Sequence, residues 1–360
     1  MMERSMNSSP DGFRMEEADR VLTIGEACLQ ASLFLEQRGI MEPRSNSELL
    51  LMHLLGLEKA GLLRDWRDPF PAGRSTEWET LITRKGAGEP AQYLIGEQWF
   101  YGLPYAVTPA VLIPRPETEL LVEAVLAEAD RLWPQAGAAA AAGGGLPAGG
   151  AEGRAGAGAA GTSSRPSAAC VPTVLDVGTG SGAIGVTLAV QRPLWRVCAS
   201  DLSPDALEVA RANAARHGAA ARMSFAQGDL LAPFLAPREG ETGAPAGEGG
   251  PAAGLRIDVL VSNPPYIPAG DIAGLQPEVR DHEPRLALDG GDDGLHPYRR
   301  MLEQLPRLAQ LPRIVAFELG MAQAREVARM LKRPGIWDEV RIICDYAGIE
   351  RHVIAVNHRT

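Results

Sequence analysis

Asn263-Pro264-Pro265-Tyr266 brings together residue types that suit one kind of chemistry. The Asn side chain offers a carbonyl acceptor. Pro264 and Pro265 have fixed φ and no N–H, so their carbonyls stand out from a stiff turn. Tyr266 adds a flat apolar face. Two acceptors and a ring can grip a planar NH2 group, which means an amide or an exocyclic base amine as substrate. The plainer reading is a Pro-rich turn in which Asn263 caps its own backbone.

A second set of residues narrows the choice. Val174-Leu175-Asp176-Val177 is an apolar strand that runs into Gly178-Thr179-Gly180-Ser181-Gly182. Ala183 to Ala189 continue as a helix. The glycines let a ligand approach the backbone, and a helix N-terminus supplies free N–H groups. Arg196 to Ser200 read as a second strand ending at Asp201. A carboxylate roughly 20 residues beyond a glycine turn is where α/β nucleotide sites keep an acid for ribose hydroxyls. The glycines read G-x-G-x-G, not the dinucleotide pattern, and Ala183 and Ile184 stand where a P-loop would place Lys and Ser.

The elements that position these residues follow. Ile257 to Ser262 is a mainly apolar run, interrupted by Asp258, the pattern of a buried strand. Asn263 therefore stands at the carboxyl end of a strand, where open α/β sheets hold ligands. Strands alternating with helices imply a doubly wound parallel sheet. Met223 to Ala226 and Arg313 to Glu318 read as further strands, with helices over Glu117 to Trp133, Leu295 to Leu308 and Gln323 to Lys332. Val340 to Cys344 and His352 to Val356 have no helix between them, so they form an antiparallel edge hairpin.

Asp176-x-Gly178-x-Gly180-x-Gly182, Asp201 and Asn263-Pro264-Pro265-Tyr266 together resemble the class I S-adenosylmethionine-dependent methyltransferases that act on planar nitrogens. Four segments are more specific: Arg84 to Gly96, Phe100 to Leu103, Leu112 to Glu119 and His282 to Gly291. They resemble the PrmC/HemK family, whose members methylate the glutamine of the Gly-Gly-Gln tripeptide in class I peptide chain release factors. The likeness runs in order from about Thr23 to Val356.

The resemblance implies a role for each site residue. Gly178, Thr179, Gly180, Ser181 and Gly182 hold the methionine end of S-adenosylmethionine. Asp201 takes the ribose hydroxyls, and Asp229 with Leu230 borders the adenine. Asn263, which also borders the cofactor, and the Pro264 carbonyl accept the two amide protons. Pro265 completes the turn, and Tyr266 packs on the amide plane. No general base is evident. His282 lies in a segment that is structural in the family. Arg115 and Glu117 either line the site mouth or pair with one another at a helix start.

Composition excludes several classes. With 45% hydrophobic and 22% charged residues the chain reads as globular. No segment has the length of a membrane span, and the N-terminus lacks an apolar signal core. Cys28, Cys170, Cys198 and Cys344 are scattered without metal-ligand spacing, as in reduced cytoplasmic thiols. A net charge of −10 argues against a nucleic-acid grip through phosphates. It suits a protein substrate, and the chain is expected to be a cytoplasmic monomer. The rival activities are methylation of a ribosomal-protein glutamine and of adenine N6 in DNA or RNA. The second needs a basic, base-flipping region that the sequence lacks.

Domain organisation is expected as follows. Residues 1–20 are polar and flexible. Residues 21–92 form a small helical domain, which the resemblance makes the substrate-docking part. Its helices follow two capping-box patterns, Thr23 to Glu26 and Ser45 to Glu48, and a third helix covers Glu77 to Lys85. Residues 93–112 are a β-hairpin linker. Residues 113–360 are the methyltransferase domain, with Ala/Gly-rich inserts at 136–169 and 236–254 that have too little bulky apolar content to order themselves.

Overall fold

The computed structural model describes residues 12–15, 21–134, 171–235 and 254–358. Both inserts, apart from Gly254, and most of the first 20 residues lie outside the described residues. Two compact units are present. One comprises the described residues up to Glu97 with Val107–Pro109 and Gly274–Glu283, and the other comprises the remainder.

The helical unit contains α1 (Ile24–Gln37), α2 (Pro43–Leu55), α3 (Lys59–Arg64), α4 (Ser75–Gly86) and α5 (Ala91–Ile95). Thr23 caps α1 with the reciprocal pair expected: its hydroxyl accepts the Glu26 N–H, and Glu26 accepts the Thr23 N–H. The second expected box does not form. Pro43 takes the first position of α2, because its missing N–H is one the helix leaves unbonded anyway. Ser45 therefore lies inside the helix. Glu48 instead pairs with Arg44 and Lys59. Leu35, Leu50, Leu51, Leu62, Trp78 and Ile82 are fully buried in a common core. Phe13 joins them, with its N–H on Thr83 Oγ1 at 2.9 Å. Residues 12–15 are thus packed, not flexible as their polarity suggested.

Three further boundaries differ from expectation. Helix α5 takes up residues 93–95 of the expected linker. The hairpin is only β1 (Glu97–Phe100) and β2 (Leu103–Ala106), turning at Tyr101-Gly102, both with positive φ. It belongs mainly to the second unit, where the Tyr105 hydroxyl meets Thr187 Oγ1 at 2.7 Å. Gly274–Glu283, deep within the expected methyltransferase domain, belongs to the helical unit.

The second unit holds α6 (Pro116–Leu132), β3 (Thr173–Val177), α7 (Ala183–Gln191), β4 (Arg196–Asp201), α8 (Pro204–Arg216), β5 (Met223–Gln227) and β6 (Val259–Ser262). Helix α9 (Pro277–His282) lies in the segment that joins the helical unit. Then come α10 (His296–Gln304), β7 (Ile314–Glu318), α11 (Ala324–Lys332), β8 (Glu339–Cys344) and β9 (Glu350–Val356). The strand order is β5-β4-β3-β6-β7-β9-β8. The first five strands are parallel, and β9 runs antiparallel between β7 and β8. Successive strand residues face opposite sides. Val174, Val259, Val261 and Ile314 pack on the side of α6 and α7. Leu175, Leu260, Val315 and Phe317 pack on the side of α10 and α11. Both faces are covered, which is why the central strands are rich in apolar residues.

The chain order reverses between β3 and β6, the first strand laid down and its later neighbour. Open α/β sheets place ligands at the carboxyl ends of such a strand pair.

Candidate active site

The glycine loop and the Asn-Pro-Pro-Tyr turn emerge from these two neighbouring strands. Val177 is in register with Ser262, so Gly178 and Asn263 leave the sheet side by side, on strands about 4.8 Å apart. The Ser262 hydroxyl donates to the Val177 carbonyl at 2.7 Å and clasps the two ends together. Nothing in the local sequence singles out Ser262, since its role depends on which strand lies beside it.

In the loop, Gly178 and Gly180 have φ of 69° and 54°, and a Cβ on either would meet no atom within 4 Å. Glycine is needed there for backbone conformation, and the space above it is open to a ligand. Beneath the loop, Asp176 is wholly buried. Its Oδ2 accepts the Thr179 hydroxyl at 2.6 Å and the Gly185 N–H at 2.9 Å. Its Oδ1 has no hydrogen-bond partner among the described residues. Burial pushes its pKa up to about 6, against the lowering effect of those two donors. Thr179 and Ser181 are buried and Gly182 is the left-handed N-cap of α7.

Asp201 ends β4. Its Oδ2 accepts the Gly180 N–H and its Oδ1 the Ser203 N–H, both at 2.9 Å. Burial raises its pKa, and these backbone donors oppose the rise. The carboxylate is thereby fixed beside the glycine loop with lone pairs left over, which fits a vicinal diol. The open loop, the fixed carboxylate and the unpartnered Asp176 oxygen together fit a nucleoside-bearing ligand. Asp229 and Leu230 are half-buried after β5. Arg300 holds both Asp229 oxygens, at 3.1 and 2.5 Å, and Leu230 has φ 53°. The Asp229 carboxylate is thus already engaged by a guanidinium, a partner 71 residues away that the sequence did not reveal.

In the turn, Pro264 is buried, while Asn263, Pro265 and Tyr266 are half-buried. Asn263 Nδ2 donates to Thr118 Oγ1 at 3.3 Å. The Tyr266 carbonyl accepts Gln323 Nε2 at 2.9 Å, and Gln323 Oε1 accepts the Gly320 N–H at 2.9 Å. Ile267 bonds to the Leu288 and Gly290 backbones at 2.9 and 2.8 Å. The Leu288-to-Gly291 part of the segment noted in the sequence is therefore the strap that braces the turn. Burial, reinforced by the Glu318 charge, pushes the Tyr266 pKa up to about 12. The phenol stays protonated at neutral pH and is no general base.

Arg115 is the N-cap of α6, extended because Pro116 follows. Its charge and that of Glu117 are felt at Tyr266. His282 belongs to the helical unit, where its Nε2 would stand 3.5 Å from a Cβ placed on Gly88. Among the described residues no cluster of three metal-ligating side chains occurs, and no helix is long and apolar enough to cross a membrane.

The chain is similar to known proteins in both of its units. The PrmC N-terminal domain model matches residues 26–96, and a methyltransferase domain model matches residues 172–238. A release factor glutamine methyltransferase of Bacillus anthracis is 36% identical over 334 residues, covering 93% of this chain and 99% of its own. One from Moorella thermoacetica is 37% identical over 336 residues, covering 93% and 98%. One from Bacillus subtilis is 34% identical over 337 residues, covering 94% and 99%.

Proposed function

The chain belongs to the family of release factor glutamine methyltransferases, and on that premise we propose that it methylates the side-chain amide nitrogen of the Gly-Gly-Gln glutamine in class I release factors. S-adenosylmethionine, when bound, supplies an electrophilic methyl group on a sulfonium. The observation that carries the reading is the acceptor-bearing turn Asn263-Pro264 beside the open glycine loop, on strands paired Val177 to Ser262.

An amide nitrogen is a weak nucleophile because its lone pair is delocalised into the carbonyl. Asn263 Oδ1 and the Pro264 carbonyl accept hydrogen bonds from its two N–H groups, which orients the nitrogen and favours the positive charge that develops on it. One N–H proton then leaves to water, giving the neutral N-methyl amide. Tyr266, neutral and braced by Gln323, packs against the amide plane. Gly178 to Gly182 and Asp201 would hold the methyl donor, and Asp229 and Leu230 would border its adenine. Fixing both partners at adjacent strand ends supplies the alignment that an in-line displacement needs. The activity belongs to translation, so a cytoplasmic location follows from the reading.

The test is incubation of the purified protein and labelled S-adenosylmethionine with release factor, ribosomes or DNA in separate samples. Label is expected in the release factor, on glutamine. Label in DNA, or in a ribosomal protein alone, overturns the reading.

A further inference from the structure

We propose that Thr118 is a positioning residue for methyl transfer: it sets which end of the Asn263 amide faces the substrate. The inference rests on the reading of Asn263 as the amide-proton acceptor.

The two ends of an Asn amide have nearly the same shape, and rotation about χ2 has two broad minima. One presents Oδ1 to an incoming NH2 group, and the other presents an NH2 that repels it. A site that needs an acceptor must exclude the second. Thr118 does so by accepting from Asn263 Nδ2 at 3.3 Å. The hydroxyl has lone pairs free to accept. Its place is rigid. Thr118 is 4% exposed, in the first turn of the 17-residue helix α6, with its N–H on the Arg115 carbonyl at 3.1 Å.

A second observation favours the same orientation. Phe317 is in register with Ser262, so Glu318 is the strand neighbour of Asn263. Residues 259, 261, 314 and 316 share one face of the sheet, and by alternation Asn263 and Glu318 continue that row. Glu318 is 3% exposed; its Oε2 has no hydrogen bond among the described residues and lies 3.7 Å from His352 Nε2. A buried carboxyl acceptor on that side, even with His352 beside it, disfavours Oδ1 there and favours the NH2 end of the Asn263 amide. Thr118 and Glu318 together leave Oδ1 for the substrate.

The test is a double-mutant cycle on the full chain. Thr118→Val keeps the shape and removes the acceptor. It should lower kcat for release-factor methylation about tenfold, the effect of one lost hydrogen bond of ordinary strength. KM for the release factor and the calorimetric Kd for S-adenosylmethionine should stay within twofold, and Thr118→Ser should restore most of the rate. In an Asn263→Ala background, Thr118→Val should cost nothing further. If circular dichroism shows the Val variant unfolded, Thr118→Ala gives the same readout. Wild-type kcat in Thr118→Val, or an equal loss in the Asn263→Ala background, overturns the inference while leaving the role of Asn263 standing. Wild-type kcat in Asn263→Ala alone overturns the underlying reading instead.

Discussion

Lys85 has no solvent exposure, and its ammonium is ion-paired with Glu278, 193 residues further along the chain. This pair ties Gly274–Glu283 into the helical unit. Removing one partner of a buried pair leaves an uncompensated charge and costs about 3–5 kcal/mol. Glu278→Ala should therefore destabilise the protein strongly in urea unfolding. Lys85→Met should cost less, because it leaves only a carboxylate whose side chain is one-third exposed. Equal, small effects would show that the ammonium reaches water.

Asn263→Ala should reduce methyl transfer by about 100- to 1,000-fold, the range for loss of one preorganised partner of a developing charge. Affinity for S-adenosylmethionine should change little. Single-turnover rates at saturating release factor measure it, and a variant within threefold of wild type would remove Asn263 from the chemistry.

Gly180→Ala and Gly294→Ala should fail in different ways. At Gly180 the added methyl meets open space but demands a left-handed conformation, a strain of roughly 1–2 kcal/mol. Its main effect should be weaker cofactor binding in calorimetry. At Gly294 the methyl would stand 2.2 Å from the Tyr266 carbonyl and 2.4 Å from Gln323 Nε2. The turn must move, and misplacement by about 1 Å costs on the order of 100-fold in rate. Gly294→Ala should thus lose turnover while retaining cofactor. Loss of cofactor binding in both variants would contradict this separation.

Asp176 gives a pH signature. Its pKa is about 6 in the fold against 3.8 for the free group. Between those values the native state keeps a proton that the unfolded chain has released. Stability therefore falls as pH rises from about 4 to about 6 and is level above. The fall is on the order of a few kcal/mol. Asp176→Asn cannot ionise and should lack it. Melting temperatures of the two proteins from pH 4 to 7.5 should diverge across that interval. A constant difference would show that Asp176 does not titrate there.

Much of the site was legible in the sequence because it is built from short-range rules. A buried strand reads as a mainly apolar run, so Ile257 to Ser262 placed Asn263 at a strand end. Prolines fix their own φ, and glycine is the residue that tolerates φ of 54° at position 180. The Thr23–Glu26 box closed as expected because both its bonds span three residues. The similar pattern at Ser45 failed for an equally local reason, since Pro43 had already opened the helix.

By itself, then, the sequence determined the strand-loop-helix units and the chemistry that each carries at its end. Tertiary structure alone decided which ends meet. Thr118 reaches Asn263 across 145 residues, Arg300 reaches Asp229 across 71, and Lys85 reaches Glu278 across 193. No periodicity or cap encodes such pairs. The first two follow from the assembly of the second unit, whose sheet order and register fix Gly178 beside Asn263 and Asn263 beside Glu318. The joining of Gly274–Glu283 to the helical unit is likewise decided by tertiary packing. Its short helix finds a buried partner through packing, and packing energy depends on the whole assembled core.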